Sequence, residues 1–387
     1  MRILSLASLL LLAVFIFTSC SVLPTGQGEQ APVETVAVWM TYSEIDSMVN
    51  SGAGFNAEFT AAAEKLKELG VNTLYFHTVA FCDAVYPSKV YPERYSGDTD
   101  VLKAAVEISS AAEIELHAWI NPYRVQTSSL DTTTLKESFV TEWLRDSDSV
   151  NYGNVCFSDS GIYLNPASSA VRGKILEAVR EIINNYAVSG IHFDDYFYPT
   201  TAKQFDETAY NTYLAECGTN TPLELEDWRR MNVNSLIIGT YAAVKSHNRS
   251  LEFGVSPAAD LDRNYNSMYA DVEAWINGGY VDYILPQLYF GFDYPIERFR
   301  FENLIIKWLD ITDNSATELL VGLPMYKSGT DAEPDNTEWQ SDNSIIARQI
   351  ECVRQYKISG FAFFSYSSLF SENSANAEQL KNIKEVI

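Results

Sequence analysis

Two aspartates stand side by side at Asp194-Asp195, inside the run GIHFDDYF (190–197). Paired carboxyl groups cleave glycosidic bonds: one protonates the leaving oxygen while the other attacks the sugar or activates water. They must flank one bond, about 5–5.5 Å apart in retaining enzymes and about 6.5–9.5 Å apart in inverting ones. Neighbours on a strand point to opposite faces. In this run Ile191 and Phe193 would share one face and His192 and Asp194 the other. Asp194 is therefore assigned the nucleophile or base role, and the proton donor is sought elsewhere. Asp83 is the first candidate, Asp260 the second and Asp293 a third. Asp195 is expected to hold a neighbouring side chain or a sugar hydroxyl, while still counting among the candidate catalytic carboxylates.

Each candidate has a plainer reading. Asp194-Asp195 could cap a loop, although that leaves an inward carboxylate unemployed. His192 is more often a packed interior residue than a general base. Trp119 suits a core layer as well as a sugar platform. Arg124 could be an ordinary ion-pair partner. Asp83 could be a surface acid, and Asp260, in AADLDRN (258–264), reads as a turn residue.

The elements that would position these residues alternate along the chain. Strand-like runs occur at 36–42, 72–79, 114–121, 190–197, 251–257, 281–290, 318–326 and 360–368, each followed by a helical pattern. Val171, Ile175, Val179, Ile182 and Tyr186 form the clearest helical stripe. Eight such units imply an α/β fold, a (β/α)₈ TIM barrel, with insertions after the third and fourth strands (122–165 and 198–222). An open doubly wound sheet would want a Gly-rich loop after its first strand, and none is present. Barrel sites form at the C-terminal ends of the strands. That rule adds Asn121, Tyr123, Arg124, Tyr196, Ser256, Gln287, Tyr289, Tyr326 and Tyr366 as candidate binding residues, with Trp119 and His192 on the inward faces.

The charge balance is 27 − 51 = −24. So acidic a chain is a poor partner for nucleic acid or anionic lipid and suits a neutral, hydroxyl-rich substrate. Four histidines (His77, His117, His192, His247) and scattered cysteines (Cys82, Cys156, Cys217, Cys352) supply no metal-site spacing, so no metal or cofactor is expected. The beginning of the chain reads as an address. Met1-Arg2 precedes an apolar run (3–17) that closes in Phe17-Thr18-Ser19-Cys20. It is short for a membrane span, which needs roughly 20 apolar residues, and is patterned as a signal peptide. Cys20 is placed as in a lipobox, where the sulfur takes a lipid. Residues 21–33 have tether composition, which leaves 34–387 as the folded domain. The expectation is an exported monomer, held at a membrane only by its lipid and acting on a polysaccharide.

Several motifs together resemble the bacterial glycosyl-hydrolase-like 10 family of exported lipoproteins. They are DAVYPSK (83–89), HAWINPYR (117–124), YLNP (163–166), GIHFDDYFYP (190–199), VSP (255–257), VDYILPQLYF (281–290) and FFSYSS (363–368). The resemblance implies a (β/α)₈ barrel acting on glycosidic bonds, with cell-wall (peptidoglycan) strands as the substrate class. It also implies Asp194, Asp195, Asn121, Arg124, Tyr163, Asn165 and Gln287 as site residues and favours Asp83. The chain departs from the family pattern at His77-Thr78-Val79-Ala80, where a Gln-x-Arg-Pro-like run is usual, and again after VSP.

Overall fold

The computed structural model describes residues 33–387, apart from 98, 149–151, 332–336 and 372–373. Cys20, the apolar run and nearly all of the tether lie outside the described residues. Eight parallel strands close into a barrel in the order β1-β11-β10-β9-β8-β7-β3-β2. They are β1 (Thr35–Met40), β2 (Thr73–Val79), β3 (Glu115–Ile120), β7 (Gly190–Phe193), β8 (Glu252–Val255), β9 (Tyr283–Ile284), β10 (Glu318–Leu323) and β11 (Gly360–Phe364). Helices follow the strands, and Glu34–Ile387 forms one compact unit.

The strands are apolar because both faces are covered. Val36, Val38, Leu74, Phe76, Ile191, Phe193, Val321 and Phe361 pack outwards against the helices. The helix Ser169–Asn185 buries Val171, Ile175, Val179 and Ile182 on one face. Ala37, Trp39, Tyr75, Trp119, Tyr283, Leu285, Leu320 and Ala362 fill the interior. Tyr283 fits there because β8 carries Gly254 opposite: a Cβ at Gly254 would lie 2.1 Å from the tyrosine ring.

Two sequence-based expectations are corrected. The sixth strand run (281–290) is strand only at Tyr283–Ile284. Pro286 cannot donate to a ladder, and pairing beyond it survives only as isolated bridges at Gln287. The stretch 122–165, read as irregular, contains a three-stranded antiparallel sheet of β4 (Arg124–Gln126), β5 (Val155–Phe157) and β6 (Ile162–Leu164). Three-residue strands are too short to show alternation, so this sheet was not legible beforehand.

A buried ion pair ties the second insertion to the barrel. Arg229, on the helix Leu225–His247, donates to both carboxylate oxygens of Asp206, to the Tyr269 hydroxyl (3.0 Å) and to the backbone of Thr201 and Ala202. Both partners are fully buried. Asp206→Ala strands that guanidinium without its counter-charge. The expected loss is about 3–5 kcal/mol of unfolding free energy, read by urea denaturation; a loss below about 1 kcal/mol would rule out this anchoring role.

Candidate active site

The strands end around a cavity of about 400 Å³. Trp39 (β1), His77 (β2), Trp119 (β3) and Phe364 (β11) form its floor and walls, with Thr41 and Tyr42 just past β1. Ser256, Gln287, Tyr289 and Tyr326 reach in from the loops after β8, β9 and β10. Asp194, Asp195 and Tyr196 enter directly after β7, and Arg124 from the start of β4. Asp194 and Asp195 are the only carboxylates among the described residues that line it.

Asp194 is 3 % exposed. One carboxyl oxygen accepts from the Trp119 indole N–H at 3.0 Å and the other from the Tyr196 backbone N–H at 3.3 Å. Burial, reinforced by the neighbouring Asp195 charge, pushes its pKa up to about 7. Arg124, the Tyr196 N–H and Trp119 oppose that rise without cancelling it. Asp195 is also raised by burial, against an opposing hydrogen bond from Gln287 and the charges of Arg263 and Arg124. β7 ends at Phe193. Alternation therefore lapses before Asp195, and both carboxylates reach one cavity. Gln287 is itself held by the Ser256 carbonyl at 3.1 Å. The Ser256 hydroxyl is buried without a partner and lines the cavity, so it is free to meet a ligand.

Two supports were missed at the sequence level. His77 stacks on Trp119 with ring centroids 3.7 Å apart, and its Nε2 lies 2.8 Å from the Asn121 side-chain oxygen. Burial holds this imidazole neutral. Trp39 donates its indole N–H to His192 Nε2 at 3.1 Å. Inward alternation along β1 and β2 would have found both residues.

Several candidates fall outside the cavity. His192 lies beneath it, its Nε2 occupied by Trp39 and its Nδ1 3.0 Å from the Tyr283 hydroxyl; it is an interior residue held neutral by burial. Tyr123 is a core residue. Asn165 shapes a turn, donating to the Gly153 carbonyl and accepting from Ala167 N–H, both at 2.9 Å. Tyr366 packs on Phe370 in the helix after β11. Asn121 is buried and meets His77 rather than the cavity. Tyr163 lines an adjoining cavity. Asp83 lines another, its carboxylate bound to Arg94 at 2.8 Å. Asp260 caps the helix Leu261–Asn266, as the turn reading had it. Asp293 meets Glu338 through its backbone N–H and does not line the cavity. Among the described residues no cluster of His, Cys, Asp and Glu is arranged to hold a metal ion.

The model of the family described as glycosyl hydrolase-like 10 matches residues 34–341. The chain belongs to that family. Among relatives, the glycosyl hydrolase YngK of Bacillus subtilis is 28 % identical over 93 % of this chain and 73 % of its own length. The glycosyl hydrolase DigH of Escherichia coli is 29 % identical over 70 % of this chain and 66 % of its own. Among solved structures, the glycoside hydrolase domain of PgaB from Bordetella bronchiseptica superposes with a TM-score of 0.59 at 12 % identity. That alignment covers 90 % of this chain and 98 % of the other. A β-galactosidase from Marinomonas ef1 gives 0.58 at 10 % identity, over 91 % and 59 %. Both share the barrel fold with this family member. The family match ends at 341, before β11 closes the barrel.

The raised pKa of Asp194 has a consequence for stability. Between its ordinary 3.8 and about 7 the folded protein keeps a proton that the unfolded chain releases. This contribution is therefore complete at low pH and is lost as pH rises through about 7. Asp194→Asn cannot ionise. It is expected to be more stable than the parent by on the order of 3 kcal/mol at about pH 8, with the gain disappearing toward about pH 4. Urea unfolding at both pH values tests this; a pH-independent difference would contradict a buried, proton-holding carboxyl.

Proposed function

We propose that this chain is a glycoside hydrolase that cuts O-glycosyl bonds in bacterial cell-wall glycan strands. We further propose that it works outside the cytoplasm, anchored to the membrane by lipid on Cys20. One observation carries the catalytic reading: two buried carboxyl groups, Asp194 and Asp195, share an aromatic-walled cavity at the C-terminal ends of the barrel strands. Membership in a glycosyl hydrolase-like family supports the same reaction class.

The roles follow from the electrostatics. Asp194 holds its proton to about pH 7, as a general acid must. It is the proton donor to the leaving oxygen, in place of the nucleophile role first assigned from strand alternation. Asp195, whose charged form Gln287, Arg263 and Arg124 favour against the burial that raises its pKa, is the group that activates water or meets the developing charge at the anomeric carbon. Trp119 keeps the Asp194 carboxyl in one orientation. Trp39, Tyr289, Tyr326 and Phe364 offer apolar faces to sugar rings.

The test incubates the full chain and its Asp194→Asn form with purified peptidoglycan, intact and stripped of peptides, and reads released sugars by mass spectrometry. Release by the parent and a loss of about 10²–10⁴-fold in the variant are expected. The parent's kcat/KM should fall above about pH 7, where Asp194 gives up its proton; a limb that falls on the acid side of that point instead would make Asp194 the base. No release from either substrate would remove the cell wall as substrate and leave glycan binding as the reading to pursue.

A further inference from the structure

A line of polar side chains runs through the barrel interior below the cavity, and the reaction proposed for Asp194 and Asp195 makes no use of its buried histidines. Trp39 donates its indole N–H to His192 Nε2 at 3.1 Å. His192 Nδ1 and His117 Nδ1 each lie 3.0 Å from the Tyr283 hydroxyl. His117 Nε2, buried and otherwise without a partner, faces the Glu252 carboxylate, with Oε2 at 3.5 Å. Two glycines make room for this line. Gly254 admits the Tyr283 ring, and a Cβ at Gly190 would lie 2.7 Å from His117 Nδ1. Gly190 is on β7, between β3 and β8, so its bare Cα lets the His117 ring of β3 lean across to Glu252 of β8.

The hydrogen atoms on this line have few places to go. An indole nitrogen only donates, and a neutral imidazole carries one hydrogen. Burial holds both histidines neutral, His117 with a pKa brought down to about 3. His192 Nε2 accepts from Trp39, so its hydrogen sits on Nδ1 and is donated to the Tyr283 oxygen. Burial keeps Tyr75 and Tyr283 as neutral hydroxyls. Tyr283 has one hydrogen to give and two acceptors in reach, His117 Nδ1 and the Tyr75 hydroxyl. Glu252 decides between them. As an anion it accepts from His117 Nε2–H, which leaves Nδ1 bare to accept from Tyr283. As a neutral acid it donates to Nε2. His117 then carries its hydrogen on Nδ1 and gives it to the Tyr283 oxygen, and Tyr283 turns its own hydrogen to Tyr75. Each donor on the line from Trp39 to Glu252 has an acceptor in both states, so neither state strands a buried polar group.

Glu252 is placed to take both forms. It opens β8 at the base of the barrel, and its side chain is 46 % exposed. Glu115 at the start of β3, Asp282 just before β9 and Glu318 at the start of β10 set negative charge around it. The cation that acts on it, Lys245 of the helix Leu225–His247, is bound to Asp282 at 2.7 Å. Burial, reinforced by Glu318, Glu115 and Asp282, pushes its pKa up to about 7. We infer that Glu252 is the input of a tautomer switch: its charge at the base of the barrel decides which ring nitrogen of His117 carries the hydrogen, and so which way the Tyr283 hydroxyl points in the interior. The switch does not depend on the reaction class assigned to the cavity.

The test labels the histidines of the full chain with nitrogen-15 and reads their tautomers by long-range proton–nitrogen correlation across a pH series. His117→Asn and His192→Asn chains assign the signals. His117 is expected to carry its hydrogen on Nδ1 at about pH 5.5 and on Nε2 at about pH 8.5, with the change centred at about pH 7. His192 should keep its hydrogen on Nδ1 throughout. In Glu252→Gln the His117 tautomer should be the same at every pH. A His117 tautomer that stays fixed in the parent overturns the switch without recourse to any variant. A change that survives Glu252→Gln overturns it too, since another group would then be setting the tautomer. Two N–H groups on His117 or His192 within this range would also overturn it, because both states rest on neutral rings.

Discussion

The hydrogen bond from the Trp119 indole to the Asp194 carboxyl joins the filled barrel interior to the chemistry at its mouth. Trp119 is inward on β3, stacked on His77 from β2 and close to the interior layer of Trp39 and Tyr75. Closing eight strands leaves an interior just wide enough for side chains. Here half of those side chains are aromatic (Trp39, Tyr75, Trp119 and Tyr283) and the rest aliphatic, so the layer beneath the carboxyl is apolar. Removing a carboxylate from water disfavours its charged form. The same packing that closes the barrel therefore keeps a proton on Asp194. Loosening the rings below would return water to the carboxyl and its pKa toward the ordinary range.

Asp195 is raised by burial too, but with different partners opposing the rise: Gln287, Arg263 and Arg124. Two adjacent carboxyl groups thus meet different surroundings because β7 ends between Phe193 and Asp195 and the chain turns. Arg124 connects the two, weakening the rise at Asp194 and favouring charge at Asp195. Its guanidinium packs on the rings of Phe81 and Tyr196, contacts that do not use its hydrogen-bond donors. An aspartate in place of those rings would have neutralised the charge that the carboxyl pair experiences.

The barrel was legible because eight apolar strand-like runs alternate with helical stripes, and the strand-end rule then pointed to Asp194, Ser256, Gln287, Tyr289 and Tyr326, all of which line the cavity. What failed did so for local reasons. Pro286 ended pairing that the apolar run 281–290 suggested. Tyr123 and Asn165 lie in motifs of mixed purpose, where some residues line the mouth and others hold the insertion's sheet and turns. His77 and Trp39 were inward by the same alternation that placed His192, but an inward residue becomes a site residue only at the top layer, and layer height depends on register. The register pairs Trp119 with both His77 and His192. Even so, the tilt of the strands leaves His77 in the cavity wall and His192 below it.

Charge shows how far a whole-chain quantity reaches. A net −24 argues for a neutral substrate, and over distances beyond about 8–10 Å salt screens most of that field. Within that distance what matters is which charges are already paired. Asp83 is neutralised by Arg94, which also binds Asp46, and Asp206 by Arg229. Arg124 and Arg263 form no ion pair among the described residues, and their charge is felt by Asp195. The surface excess of carboxylates bears on solubility and on the rate of encounter.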